Sequence, residues 1–124
     1  NDIAAAMGLV GLGHSYRILE HRKALCDAYA GKLPNVKCIY GGSYWLFAIL
    51  VDNRDMIMDC LKEGGIECDL IQLRNDIFKV FGGKRQDLPN MNRLENKYLY
   101  LPLNCKITLD DVEHITRIIN ETCC

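Results

Sequence analysis

The densest run of side chains able to do chemistry lies between positions 74 and 90. Within residues 74–85, Arg74, Lys79, Lys84 and Arg85 stand against a lone Asp76. Four cations and one anion suit a phosphate or a diphosphate, not a duplex. The Arg74-Asn75-Asp76 triplet and the Gly82 to Pro89 loop follow the turn at Gly64-Gly65-Ile66. Polar residues gathered on loops over a scaffold are how binding sites look, and an ordinary solvated loop has the same composition.

The other constellations point to packing. Gly8, Gly11 and Gly13 read G-x-x-G-x-G after a helix, not the G-x-G-x-x-G after a strand that cradles a dinucleotide. His14 and His21 are two turns apart and cannot share a metal. Seven cysteines, an odd number, are scattered without C-x-x-C spacing, so neither a zinc site nor a disulfide framework is expected. Cys26 and Cys60 fall on apolar helix stripes, where a thiol packs instead of reacting. Buried free thiols suit a reducing, cytoplasmic setting. The Cys123-Cys124 pair is open to oxidation. There is no G-x-S-x-G and no Ser/His/Asp spacing.

Charge excludes further classes. The 124 residues carry 15 basic and 16 acidic side chains, a net charge of −1, without the basic excess of a nucleic-acid binder. Apolar residues make up 49% and charged residues 25%, the mixture of one globular domain. The apolar stretch Ile3 to Gly13 is too short to span a bilayer and lacks the basic start of a signal peptide.

The elements that must position the 74–90 segment follow from periodicity. Residues 2–12 are apolar on most faces, which predicts a helix buried on most sides against something larger. The chain starts at Asn1 inside this element, so it reads as a piece of a longer protein. Gly11 and Gly13 predict a break, with Ser15 capping a second helix to Leu33. Val36 to Tyr40 and the aromatic Ser43 to Val51 predict strands around a Gly41-Gly42 turn. Asn53 opens a third helix on Ile57, Cys60 and Leu61, which Gly64-Gly65 stops. Ile66 to Leu73 predicts a strand, 74–97 a mixture of loop and short helix, and Tyr98 to Leu101 a last strand. Thr108 with Asp111 predicts a capping box, and Ile107 a staple onto Val112, for a final helix on Val112, Ile115 and Ile119. The order is α+β: helices over a small, mostly antiparallel sheet.

Six segments in series resemble the C-terminal part of the DegT/DnrJ/StrS family of pyridoxal-phosphate-dependent sugar-nucleotide aminotransferases. They are Asn1 to Leu9; Arg22-Lys23-Ala24-Leu25 with Tyr29 and Leu33; Ser43 to Phe47 through Asn53-Arg54; LKEGGI at Leu61 to Ile66; Arg74-Asn75-Asp76 with Phe81 and Leu88-Pro89-Asn90; and Leu101-Pro102-Leu103 with Leu109 to Ile115. The family's lysine that forms the Schiff base, its phosphate cup and its ring-stacking residues belong upstream of Asn1. None of the chain's lysines sits in a matching motif, so a chain inactive alone is implied.

The resemblance implies the small C-terminal domain of the aspartate-aminotransferase (fold type I) architecture. Residues 1–33 would connect toward a missing large domain, and 34–124 would form the small domain. The parent would use pyridoxal 5′-phosphate to move an amino group from glutamate to a nucleotide-linked keto-sugar, as a cytoplasmic homodimer. This domain would supply substrate contacts and cover. Arg74 would pair a sugar or phosphate oxygen, Asn75 a sugar hydroxyl, and Phe78 or Phe81 would pack on a sugar or base ring. The alternative is a free-standing α+β binding or interaction module without catalysis. A small amino-acid-sensing domain needs a repeated β-α-β-β-α-β unit, which residues 1–33 do not fit.

Overall fold

From Asp2 to Lys32 the chain runs as one helix, α1, about 46 Å long at 1.5 Å per residue. The computed structural model describes residues 1–123; Cys124, and with it the Cys123-Cys124 pair, lies outside the described residues. The expected break at Gly11 and Gly13 is absent. Each glycine costs an interior helix about 1 kcal/mol, which weakens it without ending it, and no proline enforces a stop. Ser15 does not cap; its hydroxyl donates at 2.7 Å to the Leu12 carbonyl within the helix. Asn1 caps instead, its side-chain oxygen accepting from the Ala4 N–H at 2.9 Å.

Strands β1 (Lys37–Ile39), β2 (Phe47–Leu50) and β3 (Tyr98–Leu101) form an antiparallel sheet in the order β1-β2-β3. The register sets Ile49 opposite Cys38 on one side and Leu99 on the other. The regular strands are shorter than the apolar runs that announce them. The expected strand at Ile66 to Leu73 is reduced to one bridge, Asp69 to Tyr100, where the Tyr100 N–H donates at 3.3 Å. Only Cys68 of that run is buried, while Ile71 and Leu73 stay about half exposed, so the segment lacks an inward face to hold it along β3.

Helices α2 (Arg54–Glu63) and α4 (Leu109–Thr122) and the last turns of α1 cover one face of the sheet. The core takes Leu25, Cys26, Tyr29 and Leu33 from α1 and its end, Phe47 and Ile49 from β2, Val51 just after it, and Ile57 and Leu61 from α2. Leu99, Leu101, Leu103, Val112, Ile115 and Ile119 complete it. Tyr29 stacks on Phe47 at 4.9 Å between ring centres, and its hydroxyl donates to the Pro102 carbonyl at 3.0 Å. Cys60 is half-buried, so of the two stripe cysteines Cys26 is the one fully inside.

Two of the helix ends predicted from sequence, the start of α4 and the end of α2, have their motifs. The Thr108 and Asp111 capping box forms, and Ile107 and Val112 join the same core. Asn53 occupies the N-cap of α2 without a side-chain cap bond. At the other end the Ile66 N–H reaches the Leu61 carbonyl and the Gly65 N–H the Lys62 carbonyl, both at 2.9 Å. This is a Schellman turn, and Gly65, at φ +76°, supplies its left-handed residue. Gly64 beside it lies against α4; a Cβ there would meet Ile118 Cδ1 at 2.7 Å.

Candidate functional site

The second face of the sheet carries no helix layer, and the segment from Leu70 to Leu94 curls over its β3 edge. Alternation in β3 makes this face. Leu99 and Leu101 enter the core, which turns Tyr98 and Tyr100 the other way. The two rings meet edge-on at 5.9 Å, and the hydroxyls of both donate to Gln72, Tyr98 to its carbonyl and Tyr100 to its side chain at 3.3 Å. Above them opens a hollow of about 970 Å³, walled by Leu73, Phe78, Leu88, Met91 and Leu94 with Asn75 at its border.

The expected site residues divide on this surface. Asn75 and Phe78 line the hollow; Asn75 is exposed and its side chain has no hydrogen-bond partner among the described residues. Phe81 stands outside it, 65% exposed on the loop tip. Arg74 has only its stem to offer. The side chain is buried, and all five guanidinium N–H groups are spent within the chain. Nε and one terminal nitrogen grip Asp76 side-on, each at 2.6 Å. The same terminal nitrogen donates to the Gln86 carbonyl at 2.9 Å. The other donates to Asn92 Oδ1 at 2.8 Å and Glu95 Oε2 at 2.9 Å. No donor remains for a sugar or phosphate oxygen, so the fork read from sequence as a substrate clamp is a clasp inside the protein.

The clasp gives the loop its shape. Asp76 also accepts from the Gln86 N–H at 2.6 Å, so the chain from Asp76 to Gln86 closes on itself. Glu95 bridges Arg74 and Arg85. The hydrogen bond from Arg74, then that from Gln86, holds the Asp76 carboxyl well below the usual carboxylate range, and Arg74 and Arg85 do the same for Glu95. Within the ring two 3-10 turns, Asn75–Ile77 and Lys79–Phe81, leave Phe78, Val80 and Phe81 facing outward. Lys79 and Lys84 are exposed beside them, without a salt bridge among the described residues. Pro89 starts the short helix α3 (Pro89–Leu94), which brings Asn92 to the clasp.

Asn92 and Glu95 are the clasp residues that spacing hid. They lie 18 and 21 positions from Arg74, at no periodic offset. Tyr98 and Tyr100 were open to discovery: a Y-L-Y-L strand whose leucines pack inward must present its tyrosines on the opposite face.

Among the described residues no group of histidine, cysteine or acidic side chains is placed to hold a metal, and no helix is long and apolar enough to cross a membrane. No lysine lines the hollows over the open sheet face. Lys32 and Lys97 are tied to Glu113 and Asp52. Those hollows therefore offer no lysine amine to a cofactor.

This layering recurs in solved structures, the sugar aminotransferase CalS13 among them. CalS13 from Micromonospora echinospora superposes with a TM-score of 0.87 at 23% identity, over 98% of this chain and 35% of its own. The PMP form of Spr1654 from Streptococcus pneumoniae gives 0.87 at 20%, over 98% and 35%. DesI, crystallised in the presence of its TDP-sugar product, gives 0.82 at 22%, over 95% and 34%. The chain thus spans about a third of the structures it matches. No curated protein matches it. Residues 1–120 match the DegT/DnrJ/EryC1/StrS aminotransferase family, and the chain belongs to that family.

Proposed function

We propose that this chain is the small domain of an aminotransferase that moves an amino group from glutamate to a nucleotide-linked keto-sugar with pyridoxal 5′-phosphate. In that enzyme residues 1–33 lead to the large domain and 34–124 form the small one. The cofactor supplies the electron sink when bound and is held by the rest of the protein. This chain binds and covers the sugar nucleotide. Its parent works as a cytoplasmic homodimer.

The observation that carries this reading is the clasped loop beside the open sheet face. A ring closed by Arg74 holds Asn75 and Phe78 at the 970 Å³ hollow and carries Phe81, Lys79 and Lys84 exposed on the same loop, outside it. Asn75 offers an amide to a hydroxyl, Phe78 and Phe81 offer ring faces to a base, and the two lysines meet a diphosphate. Arg74 contributes by holding this arrangement rather than by touching substrate. DesI, crystallised with its TDP-sugar product, shares the fold and supports the choice of ligand. The bare apolar half of α1 weighs against a free-standing module, since such a surface asks for cover.

Isothermal titration of the chain with UDP and dTDP tests the reading. Binding is expected to weaken about tenfold when Lys79 and Lys84 are both changed to Ala, and to fall with rising salt. No binding, or binding indifferent to both lysines, overturns it.

A further inference from the structure

Arg54 stands where it opposes its own helix. It is the first residue of α2, and a cation in the first turn faces the positive end of the helix dipole. Its side chain is only 10% exposed, while its neighbour Asp55 is 83% exposed, so the ion pair between them at 2.8 Å is largely solvated and worth little. Burying a guanidinium there brings α2 no gain that its own residues account for.

The group that Arg54 meets lies in another layer. One terminal nitrogen donates to the Glu95 carbonyl at 2.6 Å, 41 positions along the chain. Helix α2 covers the core face of the sheet, and Glu95 ends α3 on the side of the loop. Arg54 makes the crossing at the end of the sheet where Leu50 pairs with Tyr98 and the Val51 N–H reaches the Lys97 carbonyl at 2.9 Å.

Glu95 is thus held from two directions, its backbone by Arg54 and its carboxylate by Arg74 and Arg85. This gives the ring from Asp76 to Gln86 two seats on the domain. On its entry side β3 holds Asp69 through the Tyr100 N–H, and Gln72 through the hydroxyls of Tyr98 and Tyr100. On its exit side Arg54 ties Glu95 to α2. A loop closed on itself can keep its shape and still rock, and a second anchor removes that freedom. We propose that Arg54 is a positioning residue: by holding the Glu95 carbonyl it fixes how the closed loop, with Asn75 and Phe78, sits over the sheet face, without belonging to the ring itself.

Hydrogen exchange of the chain reads this without a ligand. Arg54→Ala should speed exchange about tenfold at the Glu95 and Lys97 amides, which close the end of α3 onto Met91 and Leu94. The Gln86 amide, whose bond to Asp76 closes the ring, should keep its rate. Arg54→Lys keeps a donor for the one carbonyl and should restore most of the protection. Asp55→Asn removes only the exposed partner and should change none of these amides. If Arg54→Ala fails to fold, Arg54→Met keeps the stem and replaces it. Unchanged exchange at Glu95 and Lys97, loss of protection at Gln86 in step with them, or an equal effect from Asp55→Asn overturns the proposal. Calorimetry with UDP then reads the consequence for binding, a step that rests on the sugar-nucleotide reading above. Arg54→Ala should weaken UDP about fivefold and Arg54→Lys should recover it. If the wild type binds no UDP, that reading falls and the exchange rates still decide the role of Arg54. If UDP binds wild type and Arg54→Ala alike, Arg54 positions nothing that the ligand meets, and the proposal is overturned while the nucleotide reading stands.

Discussion

Arg74 is read from sequence as a hand extended to substrate and found in the structure as a knot. The clasp predicts a pH dependence of definite sign. Asp76 and Glu95 hold their charge to lower pH in the folded chain than in the unfolded one. As pH falls below about 5, the unfolded chain takes up protons first, so the stability these groups contribute is present above that and is lost progressively below it. Melting curves from pH 7 to pH 3 should show this fall in the wild type and a flatter profile, lower at pH 7, in Asp76→Asn. Arg74→Lys should resemble Arg74→Ala in loosening the loop, because a point charge cannot grip Asp76, Asn92, Glu95 and the Gln86 carbonyl together. Hydrogen exchange at Ile77 to Arg85 should speed up in both variants while Leu99 and Ile115 keep their protection; unchanged loop exchange would mean the clasp does not order the loop. Cys26 gives a second test. Burial pushes its thiol up to about 11, so at pH 8 a maleimide should label exposed Cys105 within minutes and leave Cys26 intact until the chain unfolds.

At the scale of elements, local chemistry was legible and partner-dependent structure was not. The capping box at Thr108, the glycine stop at Gly64-Gly65 and the core stripe Val112, Ile115, Ile119 depend on neighbours within one or two turns, and all are found. The strand at Ile66 to Leu73 depends on a partner edge and an inward face, and a run of apolar residues states neither. The expected break in α1 does not occur because two interior glycines are costs to a helix and not stops. This predicts a sign. Gly11 and Gly13 have nothing within 4 Å of where a Cβ would stand. Gly11→Ala with Gly13→Ala should therefore deepen the helical signal at 222 nm and favour the helix by about 1 kcal/mol per site. A two-helix arrangement bending at these glycines would lose helicity or stability instead. Of the candidate site, loop composition marked the 74–90 segment and the family resemblance picked out Asn75 and Phe78, which line the hollow. The clasp was not legible, because the acceptors for Arg74 come from Gln86, Asn92 and Glu95, which only the closed loop brings near.

At the scale of the molecule the unresolved balance is α1. Its last turns are core, with Leu25, Cys26 and Tyr29 wholly enclosed, yet every residue from Asp2 to Arg17 is exposed. Ile3, Met7, Leu9, Val10 and Leu12 stand between 64% and 74% open to water, distributed around the rod rather than along one stripe. A helix apolar on most sides buries most sides, and isolated helical turns are marginal without packing. In the parent proposed above, the surface for that packing is the large domain. In the 124-residue chain alone the available apolar surface is a second α1. Self-association should follow, with sedimentation showing a concentration-dependent shift above the mass of one chain, and Leu9→Lys with Leu12→Glu should return it to a monomer. The two charges lie outside the core, so the melting of the sheet and α4 should move by less than about 1 kcal/mol. Hydrogen exchange then separates two ways of meeting the exposure. If residues 3–12 are protected only in the associated form, association covers them. A monomer at high concentration with those amides protected would show instead that α1 folds back on the body of the domain, and that its apolar faces carry no partner surface.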